Sequence, residues 1–566
     1  MTLPNVSLTV QQGLGGVPGT AGRTSLTLGI AAGGLVNTLY GVADVPTLQS
    51  LLGQGPLVEA MADKLTVAGG LQYAMPLNPS TNGSVGATNT TLVTGAATVT
   101  GSAAPAKPIA IKIILGGAIG TFTFAVSING GAYSAPVVTT GSPFPYLVPG
   151  TLVKITFAAG TYVANDVYTI STLGVVTLVG SGPSPSNLTF TASPLDGYDV
   201  RIAITTAGAP GTGIFTYSVD GNNNISAQVL IPSGGAYAIP GTGVVVTFSG
   251  TFVAGDIYSF TTVTASYSAS DVATALTAFH ATRTPVAIVH VVGMGANAAA
   301  AATLAATVDS AMVSAFTAQL FEHAIIECPT SEADSALASA FANFSSTNGR
   351  IDVCAGDIGH ISSATPGRII RRNVATVYTS RLCATKPSEH PGWVGSPKGK
   401  LPNVASLYPN GGGATTWTPD VLDANRFVTA RVFPGRGYYI TRGNTMAPAG
   451  DDYSSVMNAR VMNVASAQAI QSLQPFLNKD LLVNASTGTI DEREATAIEG
   501  IVRSQLEAVL VSTPDGGDAT KVTVTISRTQ NLLSTRTMPV TIAIVPKGYA
   551  ENIPILIGLI NPALAA

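Results

Sequence analysis

Charge is the scarcest property of this 566-residue chain. Asp, Glu, Lys and Arg make up 10% of its residues, where about 25% is usual in globular proteins. The 27 basic and 30 acidic side chains leave a formal net charge of -3, so the chain lacks the positive surface that wraps nucleic acid. The shortage predicts a surface poor in Lys and Glu, and we expect partner molecules to cover much of such a surface.

Cysteine and long apolar runs are also scarce. The three cysteines, Cys328, Cys354 and Cys383, are too few for a disulfide framework and indicate synthesis in a reducing cytoplasm. The longest apolar runs, 109–119 and 553–560, are shorter than the roughly 20 residues that span a bilayer. The first residues also lack the basic segment of a signal peptide. We therefore expect no membrane insertion.

Apolar residues make up 46% of the chain, enough for a large core, and the length predicts three or four domains. Two apolar segments that alternate at period two, NVSLTV and TSLTLGI, lie within residues 1–30 on either side of a Gly-rich spacer at 12–22. This pattern predicts an extended N-terminal arm with strands. Such strands need a partner from the same chain or from another one.

The segment 31–82 is predicted to begin the core, and an internal repeat follows it. Helical spacing over 45–63 with a Gly-Pro break predicts two short helices, and 68–77 predicts a strand. From 83 to 265 the sequence repeats at an offset of 91, which pairs GTFTFAVSING with GTGIFTYSVDG. Asn-Gly and Asp-Gly at the ends of these stretches are hairpin signals. We expect two tandem sandwich-like β modules, over 83–174 and 175–265.

The rest of the chain divides into four predicted segments. Buried strands and helices alternate over 266–384 as βαβαβ, with a helix beginning at Ser331, which predicts a parallel sheet. Residues 385–425 are rich in Pro, Gly and Asn and predict a loop. A strand hairpin, two helices and two strands are expected over 426–552, and a terminal strand over 553–566.

A dinucleotide-type turn is the sharpest enzyme signal. Gly293, Met294, Gly295 and Ala298 follow a strand and open a helix, as in the G-x-G-x-x-A fingerprint. Glu327 could act as the ribose-binding acid, although it lies farther along the chain than that motif requires. The alternative, which we prefer, is a tight turn between strand and helix.

Three other groups carry weaker signals. GSPKGK at 395–400 resembles a phosphate loop, but its glycine spacing is short and Leu401 replaces Ser or Thr. Cys383 and His390 have no ligand partners nearby, and Cys354 has a spacing to His360 that matches no tetrahedral metal site. Asp352 and Asp357, which lie near Cys354 in the sequence, would complete a possible nucleophile or metal group with Cys354 and His360. We expect no enzyme activity, no metal and no cofactor.

Arg368, Arg371 and Arg372 form the one concentration of positive charge. They could bind a phosphate. We prefer salt bridges between subunits, because charge is so scarce elsewhere in the chain.

Three stretches together resemble the contractile tail sheath family of phages and related injection machines. LLGQGPLVEAMADKLTVAGGLQYAMPL (51–77) is similar to the N-terminal sheath pattern of a G-x-G-P-L element, a helix and a Gly-Gly strand. The hairpin at 426–446 and the helices that follow it, with Arg460 in the first helix, resemble the second part of that pattern. VTIAIVPKGYAENIPILIGL (540–559) resembles the terminal sheath strands. The resemblance covers about 30–80 and 280–566, so the repeat looks like an insertion.

The resemblance implies an α+β multidomain fold. This fold has a sheath-like α/β core with terminal strand arms, and an inserted tandem pair of all-β modules. It also implies hexameric rings that stack around an inner tail tube protein, with baseplate and tail terminator proteins as further partners. Such a sheath belongs to a virion tail assembled in the bacterial cytoplasm, and it contracts without a nucleotide to drive the tube through the host envelope. The terminal arms would add strands to neighbouring subunits, with hinges at 12–22 and 548–550. The expected arm residues are Val6, Leu8, Val10, Ile553, Ile555, Ile557 and Leu559.

Two other classes stay open from the residues alone. A dinucleotide-dependent enzyme with β appendages would use the turn at 293–298. A surface adhesin would use the tandem β repeats, but it leaves the α/β part unexplained.

Overall fold

The computed structural model describes most of the chain as a mixed α+β molecule with several sheets, which confirms the predicted fold class. The described residues are 22–81, 84–85, 89–91, 97–100, 109–128, 132–141, 144–148, 154–157, 160–171, 177–181, 187–192, 194–293, 295–329, 332–346, 349–408, 419–448, 450–512, 516–551 and 553–555.

The first described strand lies inside the core rather than in an arm. Ser25–Gly29 is buried along its whole length and pairs in parallel with strands on both sides. The predicted arm over 1–30 is therefore wrong for these five residues, because their alternating side chains are buried within the chain's own sheet. The two predicted helices and the strand after them are confirmed. This part contains β1 (Ser25–Gly29), β2 (Tyr40–Val42), α1 (Val45–Leu52), α2 (Pro56–Val67) and β3 (Gln72–Pro76).

The insertion leaves the core and returns to it at one place. Thr81 and Ser266 form an antiparallel bridge with hydrogen bonds in both directions. The two connections between the insertion and the core therefore run side by side. Its strands are β4 (Ser84–Val85), β5 (Asn89–Thr91), β6 (Ala97–Thr100), β7 (Ile109–Leu115), β8 (Gly117–Ala118), β9 (Thr123–Ile128), β10 (Val137–Val138), β11 (Phe144–Leu147), β12 (Lys154–Phe157), β13 (Thr161–Tyr162), β14 (Val167–Ser171), β15 (Thr177–Ser181), β16 (Asn187–Ala192), β17 (Asp199–Thr206), β18 (Ile214–Ser218), β19 (Val229–Leu230), β20 (Ala236–Ile239), β21 (Val244–Ser249) and β22 (Ile257–Val263).

The two repeats share one core geometry. Phe124 and Phe157 have ring centroids 4.7 Å apart with a 45° interplanar angle. Their equivalents at offset 91, Phe215 and Phe248, lie 4.8 Å apart at 41°. Each pair is fully or almost fully buried in its own apolar cluster. The duplication inferred from the sequence is therefore also a duplication of packing.

Two details of the insertion differ from the expectation. The Asp-Gly signal does not make a two-residue hairpin, because ten residues separate β18 from β19; its Asn-Gly counterpart lies outside the described residues. The first strand after the boundary predicted at residue 174, β15, pairs with β14 of the first repeat, so the two repeats share a sheet across that boundary.

The parallel sheet predicted from the βαβαβ order is confirmed. The strands after the insertion continue it, in the order β2-β3-β1-β23-β24-β25. The strand residues alternate between its faces: Val289 packs against α3 and α4, and Ile288 packs on the α6 side. Ser331 lies outside the described residues, and the helix expected there begins after Ala333, without a side-chain cap. The elements are α3 (Ala269–Ala281), β23 (Ile288–Val291), α4 (Ala298–Thr317), β24 (His323–Glu327), α5 (Asp334–Ala340) and β25 (Ile351–Cys354).

A second layer covers the α6 face of this sheet. A three-stranded sheet in the order β27-β26-β28 and a hairpin lie beside α6. The hairpin was predicted within 426–446. These elements are β26 (Asp357–Ile361), β27 (Ile369–Asn373), α6 (Ala375–Ala384), β28 (Val404–Tyr408), α7 (Asp420–Ala424), β29 (Ala430–Phe433) and β30 (Gly437–Ile440).

The C-terminal unit packs two long helices on a small sheet. Asp491 caps the second helix, because its side chain accepts a hydrogen bond from the Arg493 N–H. The elements are α8 (Val456–Leu473), a 3-10 turn (Gln474–Phe476), α9 (Glu492–Leu510), β31 (Ala519–Ile526), α10 (Leu532–Thr535) and β32 (Val540–Pro546).

Candidate assembly surface

The C-terminal sheet has two strands in the described part of the chain. β31 and β32 pair antiparallel from Lys521↔Val545 to Ile526↔Val540. No further strand is hydrogen-bonded to either of them among the described residues. An isolated two-stranded sheet is marginally stable, and open edges offer unpaired main-chain groups to another strand. This sheet therefore has the geometry of a strand acceptor.

Helices hold this sheet in place from one side. Val522 and Val524 of β31 are buried with Val502 and Leu506 of α9 in one apolar cluster. On the outer strand the alternate residues Thr541, Ala543 and Val545 face solvent. The sheet thus has a packed face and an exposed face, so an added strand with period-two apolar residues would extend the packed face.

The chain enters the described body beside this unit. The Arg460 guanidinium donates to the Gly22 and Leu382 carbonyls, at 2.9 Å each. Gly22 has a positive φ of 76°, and a Cβ there would lie 2.9 Å from the Pro387 ring. The root of the N-terminal segment is therefore fixed against the loop at Pro387.

The chain leaves the body at the same loop. The Tyr549 hydroxyl donates to the Ser388 carbonyl at 2.7 Å, and the Ser388 N–H donates to Asp518, just before β31. Glu551 lies 3.3 Å from Arg442. Burial raises the pKa of Tyr549 to about 12. The hinge predicted at 548–550 is wrong for Tyr549, because that residue is anchored; free chain can begin only beyond Glu551.

The predicted arm residues fall on both sides of the described boundary. Ile553 and Ile555 are 73% and 75% exposed and lie in no strand. Such exposure of large apolar side chains leaves them available to a partner. The other five, Val6, Leu8, Val10, Ile557 and Leu559, lie outside the described residues, as does most of the spacer at 12–22.

The arginine concentration serves the chain's own domain junction. Arg372 and Arg368 both reach Asp196 at the base of the second β repeat, and Arg368 also stacks 4.4 Å above the Tyr198 ring. Arg371 binds Asp357 at 2.7 Å within its own sheet. The prediction of salt bridges between subunits is therefore wrong for Arg368 and Arg372, which are largely buried in pairs within the chain. The half-exposed Arg371 is also paired internally.

The glycine turn has no room for a pyrophosphate. The Tyr267 hydroxyl donates to the Val292 and Gly293 carbonyls, and its ring lies about 3 Å from where a Gly293 Cβ would stand. The Glu327 carboxylate accepts from the Gly293 N–H at 2.9 Å. This N–H, which a phosphate would need, is therefore already bound by a side chain of the same chain. The alternative interpretation, a tight turn, fits these contacts; Met294 lies outside the described residues.

The group proposed around Cys354 is dispersed into separate pairs. Asp352 accepts from Tyr378 and faces His323, at 2.7 and 2.9 Å. His360 pairs with Asp63 at 3.0 Å, and Cys354 is buried among apolar residues. Within the described ranges no three metal-ligating side chains come together.

Two lysines illustrate how the remaining polar groups are used. Lys398 of the supposed phosphate loop donates to the Ala384 carbonyl at 2.6 Å. Lys64 is fully buried and donates to Thr27 at 2.7 Å, and burial lowers its pKa to about 8. Sequence reasoning missed Lys64, Asp196 and Tyr267, because their partners Thr27, Arg372 and Val292 are distant in the sequence.

Among the described helices, α4 is long and apolar enough by composition to cross a membrane. In this fold Leu304, Val308 and Met312 are buried in the core cluster on the parallel sheet.

These features define a multidomain α+β protein with an open-edged C-terminal sheet, among the described residues, and an inserted pair of β modules. The chain belongs to the DUF2586 family, because the family model "DUF2586, N-terminal domain" matches residues 3–444. No curated protein matches it.

Solved structures similar to the chain carry names from the class that the sequence motifs resemble. A sheath tail protein from Listeria innocua is 9% identical, with 93% of this chain and 92% of that chain covered and a TM-score of 0.40. A sheath tail protein from Desulfitobacterium hafniense is 10% identical, with 97% and 100% covered and a TM-score of 0.38. The contracted sheath complex of an extracellular contractile injection system is 16% identical, with 49% and 71% covered and a TM-score of 0.34.

Proposed function

We propose that the chain is the structural subunit of a contractile tail sheath. Copies polymerise as stacked hexameric rings around an inner tail tube protein, between a baseplate and a tail terminator, in a virion tail built in the bacterial cytoplasm. Contraction of the cylinder drives the tube through the host envelope.

The single observation that carries the proposal is the open two-stranded sheet beside both chain ends. The Gly22 carbonyl accepts from Arg460 and Gly22 lies beside Pro387, while Tyr549 donates to Ser388 of the same loop. The same loop touches Asp518, at the start of the acceptor sheet. One subunit thus presents an acceptor and two potential donors at one place, which suits linkage of neighbours by strand addition.

The periodicity of the arms matches that of the acceptor. Val6, Leu8 and Val10 alternate with polar residues, and Ile553, Ile555, Ile557 and Leu559 recur at every second position. A strand with this pattern places its apolar residues on one face. An arm of seven residues could add several main-chain hydrogen bonds, each worth about 1 kcal/mol net.

Strand addition also suits a contracting lattice. Main-chain hydrogen bonds keep two subunits connected, while the segment between anchor and strand can change direction. The subunits can then rotate between an extended and a compact packing of the same copies. The free energy comes from the larger contact area of the compact lattice, so no nucleotide is needed.

The test compares two faces of the N-terminal arm. The variant V6D/L8D/V10D places charge on the apolar face and should abolish cylinders in negative-stain images. The matched control S7D/T9D charges the opposite face and should keep many more of them. Both purified chains should show the wild-type circular dichroism spectrum and melting temperature, because the changes lie outside the described body.

A second measurement asks whether the strand crosses between subunits. Chains carrying Leu8→Cys are mixed with chains carrying Ala543→Cys on β32, and disulfides between the two kinds of chain are mapped by mass spectrometry. Normal cylinders from V6D/L8D/V10D, or from chains that lack 1–20 or 553–566, would contradict the proposal. A monomer that forms the disulfide within one chain would contradict it as well.

A further inference from the structure

The edge strands of the β insertion connect the two repeats to each other. β14, the last strand of the first repeat, pairs with β15, which opens the second repeat. β22, the last strand of the second repeat, pairs with β5, which opens the first. Each repeat's sheet is therefore completed by the opening strand of the other repeat.

The two pairings use equivalent edges in registers that differ by one residue. Asn89 lies opposite Ser259 and Thr90 opposite Tyr258, while Gly180 lies opposite Tyr168. Tyr168 and Tyr258 are counterparts, because they pair with Ile111 and Ile202, which are 91 residues apart. By contrast, β6 and β16 pair within their own repeats, with β12 and β21. The exchange is thus confined to the opening strand.

We propose that each repeat is a strand-acceptor module whose edge, β14 or β22, accepts either opening strand, and that the insertion is a closed strand-exchanged pair. The partner that fits each edge is an opening strand, from either repeat. This inference does not depend on the proposed sheath function, because it concerns the insertion alone.

The arrangement has a consequence for the shape of the insertion. The chain runs from Thr81 through β4 and β5 along β22 before it enters the first repeat. The first repeat is therefore held at both ends by the second repeat, and the second repeat is joined to the core. Two independent modules in tandem would instead each complete their sheet with their own opening strand.

The first experiment uses cysteine pairs in the full chain. N89C/S259C and T90C/Y258C report the exchanged pairing, and one of these adjacent pairs will be of the non-hydrogen-bonded type with the closer side chains. T90C/Y168C reports closure within one repeat, because Tyr168 is the counterpart of Tyr258. The native cysteines are buried and will not interfere. We expect a disulfide from an exchanged pair and none from T90C/Y168C; the reverse result overturns the proposal.

The second experiment removes one repeat length. Deletion of 84–174, which is 91 residues, leaves β15 as the sole opening strand and keeps Asp196 at the core junction. We expect β15 to move to β22 in the register it has on β14, where Gly180 faces Tyr168, so that G180C/Y258C forms a disulfide in this variant but not in the full chain. Deletion of 84–182 removes both opening strands and should leave the edge of β22 open and the chain aggregation-prone. If deletion of 84–174 is as damaging as deletion of 84–182, or if it folds without the new disulfide, the edges are not interchangeable.

Discussion

Glu327 gives the sharpest energetic prediction. Its side chain is almost fully buried at the end of β24, where the carboxylate accepts from the Gly293 N–H and lies 3.3 Å from His290. Burial raises its pKa from 4.5 to about 7, against the smaller opposing effects of the Gly293 N–H, Arg372 and Lys64. Burial also lowers the pKa of His290 well below its ordinary value, so this imidazole offers little positive charge near neutral pH.

The sign of the pH effect follows from proton linkage. With a raised pKa, the folded chain holds the Glu327 proton between pH 4.5 and 7, while the unfolded chain has released it. The stabilisation from this proton is complete below pH 4.5 and is lost as the pH rises to 7. A shift of about 2.5 units at about 1.4 kcal/mol per unit amounts to roughly 3 kcal/mol.

Glu327→Gln removes this titration and keeps an oxygen that can accept from Gly293. The free energy of unfolding, from urea titrations at pH 4.5 to 8.5, should therefore rise in the variant relative to wild type by about 3 kcal/mol between pH 4.5 and 7. The difference should change little above pH 7.5. Asp452→Asn, at an exposed carboxylate, is the control and should follow wild type. A Glu327→Gln difference that is flat across this range would refute the reasoning.

Three further predictions concern the junction between insertion and core, the packing of the C-terminal unit, and the place of the insertion in an assembly. Asp196→Ala should lower the free energy of unfolding by about 3–5 kcal/mol, because it strips the shared carboxylate from buried Arg372; the double variant with Arg372→Met should recover part of this loss in the same denaturant titration. Leu506→Ala should cost about 2–5 kcal/mol by leaving a cavity under the acceptor sheet, which amide exchange in β31 will report, and unchanged exchange would contradict the packing. Deletion of 84–265 should leave assembly into cylinders intact in electron micrographs if the insertion lies outside the lattice, whereas loss of all polymers would argue against that placement.

Periodicity and repetition account for what the sequence predicted well. Helical spacing located α1 and α2, and continuous apolar runs located β23, β24 and β25, because these patterns follow from local geometry. The offset of 91 predicted two modules with equivalent cores. These signals come from residues that are close in the sequence or at equivalent positions of the two repeats, so they can be recognised without knowledge of the fold.

Pairings between distant residues account for what the sequence could not predict. The period-two pattern of Ser25–Gly29 predicts a strand but does not identify the strands that pair with it. In the structure these are β3 and β23. Asp196 and Arg372 are 176 positions apart, and neither carries a local sign of the other. The exchange of opening strands is invisible for a different reason: β14 and β22 are equivalent edges, so the repeat pattern of the sequence is the same whichever edge each strand joins.

The positions of the few charged residues help to explain how the chain folds with so little charge. Lys64, Asp196, Arg368 and Arg372 are buried or nearly so, and they join elements that are distant in sequence. Removing one partner of a buried pair costs several kcal/mol, so Asp196, Arg368 and Arg372 fix how the insertion sits on the core. Other charges pair within the C-terminal unit, as Arg528 does with Glu492 and Glu499. The open edges of β31 and β32 present main-chain amides and carbonyls, which need no charge to pair with a strand. A chain can thus be poor in charge and still hold its domains in one arrangement.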